Sequence, residues 1–262
     1  MPRHYLTAAI LVAALVGGCG GDDSAEPSTT TVPAPTTTSE ATTTTTTAPV
    51  PTTTTTTEPP PPTDEELAEM IMLESGFFGP DWDELAQTES DFTYEVIEGC
   101  EFVEVLAEAD GFAFEAESPE FSQLDTEIEH DVRIYPDAEN ATDVVLAWAE
   151  DATLNCVLEA ARLQAQEGLD RGELAPYTSV DFDLTRFDNV VGEPRVTNIE
   201  MKSTFSSPDD ELVLFIDVYT IQVGRSVSRI VIRNPDAVWD QTDQLLDVVV
   251  DRMLAADAAD TS

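Results

Sequence analysis

The sequence predicts an α+β fold: a mostly antiparallel sheet packed by a long middle helix and a C-terminal helix, with one disulfide. Three observations carry this. Glu127 to Tyr135 alternate, with Ile128, His130, Val132 and Ile134 on one face and Glu127, Glu129, Asp131 and Arg133 on the other, the period of a half-buried antiparallel strand. Val145, Trp148, Ala152, Cys156, Ala160 and Leu163 recur at spacings of three or four, the apolar stripe of a helix. After residue 178, four β-rich runs lead into one more helical stripe, so strands and helices are grouped rather than alternated as in βαβ units.

The elements follow in chain order. Arg3 and the apolar run Leu6 to Val16 form a signal-peptide core, too short for a membrane span of roughly 20 residues. Val16-Gly17-Gly18-Cys19 resembles the bacterial lipobox. That resemblance implies diacylglycerol on the Cys19 thiol and cleavage after Gly18, leaving residues 1–18 as the signal peptide. Acyl chains contribute about 0.8 kcal/mol per buried methylene, so two or three hold a protein on a bilayer without a spanning helix.

From Ser24 to Pro62 the composition shifts: 18 residues are Thr and nine are Pro. Such a segment cannot bury a core. Residues 19–62 are therefore expected to be a disordered tether, reaching at most about 120 Å at 3.1 Å per residue. It would lift the remaining 63–262, a single extracytoplasmic domain, away from the membrane.

Thr63-Asp64-Glu65-Glu66 reads as a capping box, opening a short helix to about Ser75 that Gly76, Gly79 and Pro80 end. Phe92 to Glu98 reads as a strand and Cys100 to Ala107 as a short helix. Gly111 to Glu117 reads as a strand with Phe112 and Phe114 on one face. Pro136 and Asp137 stop the alternating strand and start the long helix, which Gly168 ends. Strands are expected at Ser179–Phe187, Arg195–Phe205, Glu211–Val223 and Arg225–Arg233, with a turn at Gly224. Asn234 as N-cap and Pro235 at the first helical position open the last helix, whose Val238, Thr242, Leu245, Val249 and Met253 face the sheet.

Cysteine arithmetic supplies the staple. Cys19 is consumed by the anchor, leaving Cys100 and Cys156 in an oxidising compartment, where they are expected to pair. Closing that loop is worth about 4 kcal/mol in the chain-entropy model.

Asp plus Glu number 53 against 11 Lys plus Arg, a formal net charge of -42. This argues against nucleic acid and against general attraction to anionic lipid. No D-x-[DN]-x-[DN]-G loop occurs, so neither a metal site nor a cofactor is expected.

Several residues together resemble a known group: Gly79-Pro80 and Trp82 after a short helix, Cys100, Val132-Arg133-Ile134-Tyr135 leading through Asp137 and Ala141 to Cys156, and Gln222-Val223-Gly224-Arg225 before a last strand and helix. They resemble actinobacterial secreted lipoproteins similar to the extracellular sensor domain of a mycobacterial Ser/Thr kinase. The resemblance implies a helix-and-sheet domain with a cleft and a ligand- or partner-sensing role. That domain has two disulfides where this chain has one cysteine pair.

His4 leaves with the signal peptide, so His130 is the one histidine of the mature chain, and its apolar strand face reads as a core or pocket-edge position rather than a general base. No G-x-S-x-G elbow, phosphate loop or dinucleotide glycine pattern occurs, so the chain is not expected to be an enzyme. Arg225, Arg229 and Arg233 share strand parity with Val227 and Val231. They read either as a solvated face paired with acidic neighbours such as Asp217 or, with Tyr219, as a site for an anionic envelope ligand or partner. The function expected is a lipid-anchored binding or sensor module on the outer face of the cell membrane. The alternatives are a carboxylate-dependent cell-wall hydrolase, which needs only two carboxylates, and a structural wall protein.

Overall fold

The computed structural model describes residues 60–86, 97–103, 111–189, 194–235 and 239–261. The expected signal peptide, Cys19, all but the last residues of the expected tether, most of the strand expected at Phe92–Glu98, the helix expected beyond Val103, and Val238 lie outside these residues.

Helix α1 (Asp64–Ile71) starts where the sequence places it. Thr63 accepts from the Glu66 amide, the Glu66 carboxylate accepts from the Thr63 amide, and three acids fill the first turn, each favourable at a helix N-terminus. The helix ends at Ile71. A separate four-residue turn, α2 (Ser75–Phe78), contains Gly76, and Gly79 at φ 89° ends it.

Among the described residues the sheet has eight antiparallel strands: β1 (Asp83–Leu85), β2 (Phe114–Glu117), β3 (Glu120–Gln123), β4 (Thr126–Ile134), β5 (Ser179–Asn189), β6 (Arg195–Ser206), β7 (Glu211–Val223) and β8 (Ser226–Asn234). Their order is β1-β3-β4-β8-β7-β6-β5, with β2 beside β3 along the same edge of β4. The Gly224 turn sits at φ 53° between Val223 and Ser226, which pair directly.

Register fixes two faces. Ile128, His130 and Val132 of β4 lie opposite Ile232, Ile230 and Ser228 of β8, and these lie beside Asp217, Tyr219 and Ile221 of β7. This face is covered by α1 and the C-terminal helix α5 (Thr242–Asp260), with Leu67, Ile71, Phe121, Ile128, Ile230, Ile232, Leu245, Val249 and Met253 in one core. Thr242, Leu245, Val249 and Met253 are buried as expected. The Asn234 cap is corrected. β8 runs through Asn234, which pairs with Phe215, and the helix begins at Thr242; the sheet ladder takes the residues that capping chemistry assigned to the helix.

The other face carries Glu127, Glu129, Asp131, Arg133, Val227, Arg229, Val231 and Arg233, and continues through Ile216, Val218 and Thr220 to Ile199, Met201 and Leu184. It is covered by two helices where the sequence suggests one. α3 (Ala138–Trp148) is capped by Asp137, and α4 (Asp151–Arg171) ends on Gly172 in the left-handed region. The break at Ala149-Glu150 resets the helical phase. Val145, Cys156 and Ala160 stay buried, whereas Ala152 and Leu163 turn to solvent and Leu154, Val157 and Ala161 take the inner stripe. Gly168 lies within α4, its missing side chain leaving room for Leu174.

Cys100 and Cys156 form the disulfide, with Cα atoms 5.6 Å apart, inside the range that geometry allows. It joins a helical turn at residues 101–103 to α4, within a cluster of Ile97, Val103, Val157, Ala160 and Trp148. Phe112 and Phe114 do not share a face: Phe112 precedes β2 and packs near Tyr135 and Val145, while Phe114 packs on the α1 side.

Candidate functional site

The charged face of β4 is not solvated. Glu129, Asp131 and Arg133 are all buried, because cross-strand neighbours match them. Arg229, opposite Asp131, donates from Nε to Oδ2 at 2.7 Å. Arg133, opposite Glu115, donates at 2.6 Å and lies over the Phe112 ring. Arg233, 4% exposed, donates to Glu129 at 2.8 Å with Glu127 and Glu120 within 4 Å. Opposite charges facing each other across strands stabilise the pairing. Acids still outnumber bases here, so burial and then Glu127 push the Glu120 carboxyl up to about 7, and burial and then Glu115 raise Glu117.

The arginine set is therefore divided. Arg229 and Arg233 share the face under α3 and α4, as their parity predicts. Arg225 lies in the turn and reaches Asp260 and Asp64 at 2.7 Å each, tying α5 to the start of α1. Tyr219 projects from the opposite face beside Asp217. Burial pushes the Tyr219 phenol up to about 12 and the Asp217 carboxyl up to about 6. The four residues do not converge, and acids of β3 and β4, rather than Asp217, receive Arg229 and Arg233.

His130 is wholly buried. Its Nδ1 accepts from the Leu73 amide at 3.1 Å and Nε2 contacts the Ser228 hydroxyl at 2.8 Å. Burial holds its pKa down at about 4, so at neutral pH it is an uncharged core residue.

A cavity of about 80 Å³ opens where α3 and α4 diverge above the sheet. Its walls are Val144, Val145 and Trp148 of α3, Leu154 and Val157 of α4, and Leu184, Ile199, Met201 and Val218 on the sheet, with Asp131, Arg133, Arg229 and Thr220 toward one end. The break is fixed from both sides. Arg186 of β5 donates to the Ala149 carbonyl and to Asp151, and the Thr153 hydroxyl donates to the Ala147 carbonyl. Trp148 and Val157 also pack at the disulfide, so the staple supports the cavity wall. Of the arginines singled out by the sequence, only Arg229 lines this cavity. The apolar wall residues read individually as core. The break at Ala149-Glu150 left no mark in the stripe, because Val145, Trp148 and Ala152 keep helical spacing across it.

Among the described residues no helix is long and apolar enough to cross a membrane, and no group of three or more His, Cys, Asp or Glu side chains stands in metal-holding geometry. No family model matches the chain, and no curated protein matches it. Its structure is similar to that of the extracellular domain of PknH from Mycobacterium tuberculosis, with a TM-score of 0.44 and 10% identity over 75% of this chain and 98% of that one.

Proposed function

We propose that this protein is a lipid-anchored extracytoplasmic binding module whose ligand enters the groove between α3, α4 and the sheet. The observation that carries the reading is the groove itself: a mostly apolar cavity with a few polar groups gathered at one end, the usual make-up of a small-ligand site. Its one carboxylate, Asp131, is bonded to Arg229. Glycoside cleavage needs two carboxylates facing the substrate, so the lining supports binding rather than hydrolysis. The signal peptide, lipobox and Thr/Pro tether support presentation outside the membrane, and so does the disulfide, which persists in oxidising compartments.

Two measurements test this reading. Cys19→Ser releases the protein from the membrane fraction after a carbonate wash; retention overturns the anchor. The released Cys19→Ser chain, incubated with envelope extract and then denatured, yields a species by mass spectrometry that Val144→Trp, which fills the groove, does not retain. Equal retention by both chains places binding elsewhere.

A further inference from the structure

Resting on the groove as the binding site, we propose that its ligand is a linear amphiphile: an aliphatic chain ending in an uncharged polar group, lying across the strands. The register gives the groove two chemically different ends. Asp131 on β4 faces Arg229 on β8, which faces Thr220 on β7. At the other end, Val218 on β7 faces Ile199 on β6, and Met201 beside it faces Leu184 on β5. From β4 to β5 the floor crosses four inter-strand steps, about 19 Å at roughly 4.8 Å each. Its charged groups lie at the β4 end, beside Val227 and Tyr135, and the β5 end is wholly apolar.

The polar end sets the headgroup. Asp131 is bonded to Arg229 and Arg133 to Glu115, so each charged group of the wall already has a partner within the protein. A charge buried there without a partner is strongly penalised. Thr220, half-buried between the ion pair and the aliphatic floor, makes no side-chain hydrogen bond to another described residue. Its hydroxyl is placed to pair with a hydroxyl or ester. The net charge of -42 further opposes an anionic chain.

The apolar end sets the shape. The cavity, about 80 Å³, is spread along a floor drawn from β4, β8, β7, β6 and β5, so it is narrow for its length. Its floor and roof are Leu184, Ile199, Val218, Val144 and Val157, so the space suits a slim chain better than a ring.

The test uses the full Cys19→Ser chain with methyl-labelled Val, Leu and Ile, titrated with 1-octanol, octanoate, octylammonium and phenethyl alcohol. Octanol is expected to shift Leu184, Ile199 and Val218 saturably, with octanoate and octylammonium at least roughly tenfold weaker because a charge gains no partner. Thr220→Val, a near-isosteric change, is expected to weaken octanol roughly tenfold by removing one hydrogen bond. It should leave the melting temperature unchanged. Val144→Trp abolishes the shifts. Octanoate or octylammonium shifting the same methyls as tightly as octanol overturns the uncharged headgroup while the groove stands. Phenethyl alcohol binding as tightly as octanol overturns the aliphatic assignment. No saturable shift of groove methyls with any of the four probes overturns the ligand class and the groove reading together.

Discussion

The two faces of one sheet are finished by opposite means. Under α1 and α5, the even-numbered residues of β4 and β8 meet a single filled apolar core, and even His130 is absorbed there by two hydrogen bonds. Under α3 and α4, the odd-numbered residues of the same strands carry ion pairs at one end and an unfilled apolar seam toward β5. A face closed by shape has nothing left to offer a ligand. A face where charge is balanced across strands and two helices part company keeps a cavity, and keeps it rigid through Arg186, Thr153 and the disulfide.

The comparison is tested most severely at Arg233. Removing one partner of a buried ion pair costs about 3–5 kcal/mol because the other charge is left uncompensated. Arg233→Met strands Glu129, Glu127 and Glu120 together, so denaturant unfolding should show a loss in that range. Arg233→Met with Glu129→Gln should recover part of it. A single variant as stable as wild type would mean that the pairs on this face are no more than a solvated ladder.

The disulfide comes next. Cys100→Ala should destabilise the domain by about 2–5 kcal/mol, and because Trp148 and Val157 pack against the bridge, the loss should extend to the groove. Octanol shifts at Val218 would weaken in the variant. Thiol labelling of the unfolded, unreduced wild type should find neither Cys100 nor Cys156 reactive, and two reactive thiols would overturn the bridge.

A matched pair of truncations contrasts the faces directly. Ile230→Ala, in the filled core and wholly buried, should cost about 2–5 kcal/mol. Val218→Ala borders space that is already empty and removes fewer contacts, so about 1 kcal/mol or less is expected. Equal losses by urea unfolding would erase the distinction between a packed and an open face.

Much of this was legible in the sequence where one local rule acts alone. The capping box at Thr63, the four late strands, the inward run of α5 and the Cys100–Cys156 pair depend on short-range pattern or on counting. What failed did so where long-range structure overrides local preference. Asn234-Pro235 is a good helix start, yet β7 holds Asn234 in the ladder. The short β1 and β3 carry too few residues to show a period. Glu127 to Arg133 looked solvated because alternation reports polarity, and polarity does not reveal a matching strand on either side. Parity placed Arg229 and Arg233 together correctly, but it could not show that the turn sends Arg225 to Asp64 and Asp260. The groove is the least legible feature, since Val, Ile and Leu around an empty space are spelled like those around a full one.

The smallest expected effect separates the faces by pH. On the ion-paired face, burial raises the Glu120 pKa from 4.5 to about 7, so the folded state binds that proton more tightly than the unfolded chain. Its contribution is fully present below about pH 4.5 and is lost as pH rises to 7, on the order of 2 kcal/mol once sharing with Glu129 and Arg233 is allowed for. On the packed face, burial lowers the His130 pKa from 6.5 to about 4. Here the unfolded chain takes the proton first, and stability is lost as pH falls from 6.5 to 4. The two faces therefore pull in opposite directions, and a shallow maximum is expected between about pH 4.5 and 6.5. Glu120→Gln carries an uncharged amide at every pH, so its melting temperature relative to that of the wild type should rise as pH rises from about 4.5 to 7, while the His130 contribution is common to both. Parallel melting curves for the two proteins from about pH 4.5 to 7 would show that the Glu120 carboxyl is already ionised in the folded domain and that the acids of this face are better matched than their surroundings indicate.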